Sequence, residues 1–149
     1  MKTVWIVLAV LAGLGLLCCR GVLFVGRNVY QGVVDANDQA DRYAKDVFRK
    51  AATNWNVEGF LPEASPELLQ TVTEQGLKLQ FQTYKEKYGA FNSVSDFTAN
   101  STSVNNNNGV SETIVKTRAS ANFDKDTAQV LMEVVKKGDQ WKVKSISLI

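Results

Sequence analysis

Residues 110–149 read VSETIVKTRASANFDKDTAQVLMEVVKKGDQWKVKSISLI, and this stretch decides the fold. Runs rich in Val, Ile, Thr and Ser are typical of β-strands. Two short polar segments separate the runs, Asp124-Lys125-Asp126 and Lys137-Gly138-Asp139, and their composition is typical of turns. The pattern therefore predicts three consecutive antiparallel strands, over residues 110–123, 127–136 and 140–149.

In the first two of these strands the apolar side chains share one parity and therefore one face. In the last strand the apolar side chains switch from one parity to the other along its length. Trp141 and Val143 share one parity, whereas Ile146 and Leu148 have the other. Because side chains alternate between the two faces of a sheet, such a switch needs an extra residue or burial on both faces. The sequence predicts a β-bulge or two-sided burial near residues 144–145. It also predicts that Trp141 is buried on the helices.

A fourth strand is predicted before these three, over residues 90–101. Residues 105–109 read NNNNG, which is suited to a hairpin loop because Asn and Gly tolerate positive φ. The sheet is therefore expected to be a four-stranded antiparallel meander.

Helices are predicted upstream of the sheet. Apolar residues recur every three or four positions between residues 29 and 55, which is the pattern of one amphipathic helix. They are Val29, Val33, Ala36, Ala40, Tyr43, Ala44, Val47, Phe48, Ala51 and Trp55. Trp141 is expected to pack on this stripe, which contains Val47, Phe48 and Ala51.

Capping signals mark the remaining helices. Ser65 is suited to the N-cap of a helix, Pro66 to its first helical position and the acidic Glu67 to its first turn. A further helix is predicted over residues 73–88 and is terminated by Gly89. Two to three helices followed by an antiparallel sheet define an α+β domain, whose curved, cone-like sheet is expected to wrap the helices around a cavity.

The N-terminal segment is predicted to be a transmembrane anchor. Residues 4–19 form an apolar run of about 24 Å as a helix, and extension to residue 25 gives about 33 Å, enough to cross a bilayer. The predicted division is an anchor over residues 1–27, in contact with lipid through residues 4–25, and a domain over residues 28–149. A cleaved signal peptide and lipoprotein processing remain as alternatives. The single-pass protein is expected to place its domain on the outer, extracytoplasmic face.

Cys18 and Cys19 are the only cysteines, and the chain has no histidine. At the edge of the apolar run they are candidate S-acylation sites, and the alternative is that they are small apolar residues of the membrane helix. Neither can form a zinc site without further ligands, and no metal or cofactor is predicted.

Charge argues against nucleic acid as a partner. Three of the 17 basic residues, Lys2, Arg20 and Arg27, precede the predicted domain, whereas all 15 acidic residues lie within it. The domain therefore carries a net charge of about −1, without the basic surface that nucleic-acid binding requires.

No catalytic residue is predicted. The sequence contains no glycine-rich phosphate loop and no nucleophile elbow. Asp96 is the one acid in an apolar and hydroxyl-rich strand. It is a candidate to point into a cavity beside Tyr84 or Tyr88, and the favoured alternative is a solvated residue on an edge strand. The candidate ligand-binding residues are Trp55, Tyr84, Phe91, Asp96 and Trp141, and the alternative for the aromatic members is core packing.

Three motifs carry a resemblance over residues 35–149. They are Ser65-Pro66-Glu67-Leu68-Leu69, the set Phe81, Tyr84, Tyr88 and Gly89, and the closing Gly138-Asp139-Gln140-Trp141-Lys142-Val143. With them the chain resembles the cystatin-like, or nuclear-transport-factor-like, α+β superfamily, above all singly anchored bacterial envelope proteins of the planctomycete type. The resemblance implies a non-enzymatic envelope protein that binds a protein partner or a small ligand. The alternative is a small-molecule enzyme with carboxylate or tyrosine acid–base groups inside the cone.

Overall fold

The computed structural model describes residues 31–107 and 109–149, and these contain a compact unit from Ala36 to Ile149. The predicted anchor over residues 1–27, with Cys18 and Cys19, lies outside the described residues. None of the described helices is long and apolar enough to cross a membrane.

Four α-helices precede the sheet. Helix α1 covers residues 31–54 of the described chain, α2 is Val57–Phe60, α3 is Pro66–Thr71 and α4 is Glu74–Tyr88. A 3₁₀ turn, Leu61–Glu63, joins α2 to the segment before α3.

The helix boundaries follow from local chemistry. The Ser65 hydroxyl accepts the Leu68 N–H at 3.2 Å, and the Thr73 hydroxyl accepts the Gly76 N–H at 3.1 Å, so each caps one helix start. Gly89 ends α4 with φ 82°. A glycine is favoured there because a Cβ would make this left-handed conformation costly.

Five antiparallel strands form one sheet. They are β1 (Phe91–Val94), β2 (Thr98–Asn107), β3 (Val110–Phe123), β4 (Thr127–Lys137) and β5 (Gln140–Leu148). Strands β1 and β2 both pair with β3 on the same side. Strand β3 pairs on its other side with β4, and β4 pairs with β5. The α+β class is thus confirmed, but the described domain has four helices and five strands instead of two to three helices and four strands.

The extra strand arises because the predicted strand over residues 90–101 is broken. Val94 pairs with Ala121 and Thr98 pairs with Arg118, so residues 95–97 form a bend between β1 and β2. Phe97 is only 5% exposed and packs edge-on against Phe48 at 6.1 Å. Burial of this ring turns the chain inward, and β2 then runs on to Asn107, further than the predicted end.

The predicted bulge in the last strand is confirmed. Val143 pairs with Val134, whereas Ser145 pairs with Glu133, so Lys144 is an extra residue in β5. The bulge places Val143, Ile146 and Leu148 on the same buried face.

The core lies between the helices and this face of the sheet. Its aromatic residues form a chain of ring contacts. The ring centroid of Phe81 lies 5.3 Å from that of Phe60 and 6.0 Å from that of Trp55. Aliphatic residues of β3, β4 and β5 complete the layer below the rings: Val115, Val130, Met132, Val134 and Val143, all at most 2% exposed.

Candidate functional site

The predicted site residues fall in three separate places. Trp55, Tyr84 and Phe91 belong to the aromatic core, Trp141 lies at the beginning of β5, and Asp96 lies on the bend between β1 and β2. The structure therefore does not bring the five residues together around one cavity.

Trp55 and Tyr84 are in contact, with ring centroids 5.9 Å apart, and Trp55 also stacks on Phe123 at 5.7 Å. Phe91 joins the same cluster through Phe123 at 5.9 Å. These rings pack against one another, as the core-packing alternative expects.

The Tyr84 hydroxyl is committed to structural hydrogen bonds. It accepts the Leu148 N–H at 3.2 Å and a Gln80 side-chain N–H at 2.8 Å. Gln80 also donates to the Ile146 carbonyl at 3.2 Å. Both α4 side chains thus bind the end of β5.

Trp141 is half-buried, and it stacks on one member of the predicted apolar stripe. Its indole stacks on Tyr43, with centroids 6.4 Å apart and planes at 28°, and the Lys136 ammonium lies 5.8 Å from the indole. Tyr43 belongs to the predicted apolar stripe, so the indole packs on that stripe, but about one helical turn before Val47. The physical reason is that β5 begins at the margin of the core, and Val143 is its first fully buried residue.

Tyr43 is itself held by the segment after α2. Its hydroxyl donates to a Glu63 carboxylate oxygen at 2.9 Å. Burial, followed by the nearby Glu63 carboxylate, raises the pKa of Tyr43 well above its ordinary value. The Tyr43 hydroxyl therefore stays protonated and serves as a donor.

Asp96 does not point into a cavity. Its side chain is 91% exposed and forms an ion pair with Lys45 at 2.6 Å, which agrees with the solvated alternative and not with a cavity position beside Tyr84 or Tyr88. The Lys45 ammonium lowers the pKa of Asp96. Because the bend turns Phe97 inward, the preceding side chain faces solvent.

Asp96 belongs to a row of contacts that we call the polar seam. Asn37, Asp41 and Lys45 of α1 contact, in turn, Thr102, Ala99 and Asp96. The helix residues are four positions apart, which places them on one face. The sequence signal was available in the spacing of these polar residues beside the apolar stripe, but it does not identify their strand partners.

Asp41 is the member of the polar seam with a buried carboxylate oxygen. One of its oxygens accepts the Ala99 N–H at 3.1 Å, while the other is buried without a partner among the described residues. Burial raises the pKa of Asp41, the Ala99 N–H opposes that effect, and the Asp38 charge adds to it. The adjacent strand residue Thr117, paired with Ala99, also has a buried hydroxyl without a partner in the described chain.

A shallow depression of about 340 Å³ opens at the polar seam. Its lining includes two cations and three carboxylates: Arg42, Lys45, Asp38, Asp41 and Asp96. These charges largely offset one another, and no cluster of metal-ligating side chains occurs within residues 31–107 and 109–149. The arrangement is chemically suited to joining α1 to the sheet.

The two edges of the sheet differ in how they are covered. Along β5, Ala64 forms a parallel bridge with Val143, and the Ser65 N–H donates to the Val143 carbonyl at 2.8 Å. The Gln80 and Tyr84 contacts cover the end of the same strand. Strand β5 is thus protected against pairing with another chain.

Strand β2 is covered only over its first half, by the polar seam. From Ser103 to Asn107, the segment that we call the free edge, β2 pairs with β3 and with nothing else in the described part of the chain. Val104 is 54% exposed there. Unpaired strand groups and an exposed apolar side chain are features of a site for strand addition.

The sequence matches no protein-family model, no curated protein and no solved structure. The resemblance to the cystatin-like superfamily accordingly stays a prediction.

Proposed function

We propose that this protein is a singly anchored, non-enzymatic envelope protein whose α+β domain, of the cystatin-like or nuclear-transport-factor-like type, binds a protein partner. Residues 1–27 are the anchor, and the domain lies on the outer face of the membrane. The free edge is the docking surface, and an extended segment of the partner adds to it as a strand.

The contrast between the two sheet edges carries this proposal. Backbone and side-chain contacts cover β5 from Val143 to Leu148, whereas the free edge of β2 has no partner other than β3 among residues 31–107 and 109–149. Natural sheets usually protect an edge with charged residues or proline. Ser103–Asn107 contains neither, which favours an edge that is kept available for binding.

The enzymatic alternative receives less support. Asp96 faces solvent in an ion pair, and the Tyr84 hydroxyl holds the end of β5. Neither group is placed as an acid or base in a water-excluded pocket, which such chemistry requires.

The docking surface can be tested by photo-crosslinking in native membranes. A photoreactive amino acid at Asn105 should give an adduct with a protein. The same residue at Gln129 should not, because Gln129 lies in β4 with its backbone bonded to Ile149 at 2.8 and 3.0 Å. Equal adducts at both positions, or none at Asn105, would contradict docking at the free edge.

The anchor is tested separately by fractionation. The full chain should remain in the membrane pellet after an alkaline carbonate wash, whereas a fragment beginning at Asp35 should be released. Recovery of a mature protein that begins between residues 18 and 35 would instead support processing.

A further inference from the structure

We propose that the free edge pairs with the free edge of a second copy of this chain, in an antiparallel arrangement centred on Asn105. This inference rests on the proposed function, because it names the partner that docks at the same surface.

The first argument is charge. The ten residues of β2, Thr98–Asn107, contain no charged side chain, whereas β3, β4 and β5 each contain at least two. In a two-fold symmetric pair, each residue near the centre faces a residue of the same strand. A charge at position 105 would lie directly opposite its own copy, and a charge at position 104 or 106 would lie diagonally from its own copy, so a neutral strand avoids this repulsion.

The second argument is register. The Asp41 carboxylate already accepts the Ala99 N–H, and Asn37 binds the Thr102 hydroxyl, so the polar seam blocks the first half of β2. Pairing is confined to Ser103–Asn107, whose midpoint is Asn105. Ser103 then faces residue 107 of the other copy, and Val104 faces Asn106.

The third argument is the exposed valine. In this register the two Val104 side chains lie on the same face as diagonal neighbours, roughly 7–8 Å apart at the backbone. Each covers part of the other's apolar surface, which is 54% exposed in the single chain.

Five residue pairs make a small contact, well below the ~1,200–2,000 Å² of a standard interface. Association therefore depends on the anchor, since confinement to a membrane raises the effective concentration of one copy around another. The dimer is expected for the full chain in a bilayer and to weaken strongly on dilution in detergent.

Disulfide trapping tests the register with the full chain in lipid vesicles, after Cys18→Ala and Cys19→Ala remove the native thiols. Asn105→Cys should form a disulfide-linked dimer, because residues directly opposite have Cα atoms about 4.5–5.5 Å apart, within disulfide range. Ser103→Cys should not, since it faces residue 107 of the other copy, and residue 103 of that copy lies four positions away along the strand. Gln129→Cys is the exposed control between two paired strands.

Similar trapping at all three positions would indicate random collision and would overturn the proposal, as would trapping at Ser103 alone or at no position. A photo-crosslink from Asn105 to a different protein, without a trapped dimer, would overturn the second-copy inference and leave the proposed function standing. Absence of both would contradict the two together.

Charge substitution supplies an independent readout. Asn105→Lys should lower the dimer fraction in vesicles about two- to fivefold, because it places like charges directly opposite each other. The neutral Asn105→Ser should change it little. Unchanged dimerisation of the lysine variant, with an unchanged thermal melt, would overturn the proposed centre.

Discussion

The indole Nε1 of Trp55 donates a hydrogen bond to the carbonyl oxygen of Gly89 at 3.1 Å. The two residues directly follow α1 and α4, and both have positive φ, 47° at Trp55 and 82° at Gly89. For a bulky residue this conformation is rare and costs about 1–2 kcal/mol. The stacking of the indole on Phe123 and its bond to Gly89 offset that cost.

Substitution of Trp55 should separate backbone strain from ring packing. Trp55→Phe should reduce the free energy of unfolding by about 1–2 kcal/mol, because it removes the donor to Gly89. Trp55→Gly relieves the strain but loses the ring, and a net loss of about 2–3 kcal/mol is expected. Urea denaturation followed by circular dichroism measures both, with Leu79→Ala, at a 66% exposed position, as the control. A glycine variant as stable as the wild type would mean that strain outweighs packing.

The sequence predicts the strands after residue 110 well, because alternation and turn residues are local signals. Even the bulge at Lys144 can be predicted from the sequence. Apolar residues of both parities in one strand can reach the same buried face only if an extra residue lies between them. The break at residues 95–97 is not visible, because it depends on Phe97 reaching Phe48, about fifty positions away.

The same distinction applies to the candidate site. Residue types identify Trp55, Tyr84, Phe91, Asp96 and Trp141, but type does not say which of them the fold brings together. The polar seam and the free edge depend on pairing between distant segments, such as Asp41 with Ala99, which no local pattern encodes.

The position of Trp141 at the margin of the core predicts a moderate effect of its truncation. Trp141→Ala should cost about 1–3 kcal/mol, because part of the indole stays in solvent, whereas Met132→Ala, at a 2% exposed position, should cost about 2–5 kcal/mol. Thermal unfolding of both variants gives the comparison. A larger loss for Trp141→Ala than for Met132→Ala would place the indole inside the core.

The bulge predicts an unusual tolerance of a deletion. Removal of Lys144 leaves Val143, Ile146 and Leu148 in strict alternation on the buried face, so only its 3.3 Å ion pair with Glu133 and some local twist are lost. A loss of at most about 1.5 kcal/mol is expected. Deletion of Glu133 shifts the parity of β4 and should unfold the domain.

Circular dichroism melts distinguish the two deletions. If loss of Lys144 is as damaging as loss of Glu133, then the bulge is required for the shape of the sheet and not only for the parity of β5.

The raised pKa of Asp41 predicts how the stability of the domain changes with pH. The folded protein holds this proton more tightly than the unfolded chain does. The resulting stabilisation is complete below the ordinary pKa of 3.8 and is lost as the pH rises through the folded pKa. At neutral pH the charged, partly buried carboxylate is therefore unfavourable.

Asp41→Asn should remove this cost while its amide oxygen still accepts the Ala99 N–H. We expect its melting temperature to exceed that of the wild type by about 1–3 °C at pH 7, with the difference disappearing as the pH falls below about 4. Asp46→Asn, at an exposed position of the same helix, is the matched control and should behave like the wild type. If Asp41→Asn is less stable than the wild type at pH 7, the negative charge of Asp41 stabilises the folded domain, which would contradict this prediction.

Thr117 tests whether the interior beneath the polar seam is dry. Its side chain is 2% exposed, and its hydroxyl has no hydrogen-bond partner among the described residues. A buried hydroxyl without a partner costs about 1–3 kcal/mol, so Thr117→Val, which keeps the shape, should stabilise the domain by about 1 kcal/mol. Thr117→Ser keeps the hydroxyl, loses a methyl group and should destabilise by a similar amount. If Thr117→Val instead destabilises, and this loss shrinks in the Asp41→Asn background, then the hydroxyl and the Asp41 carboxylate share a bound water.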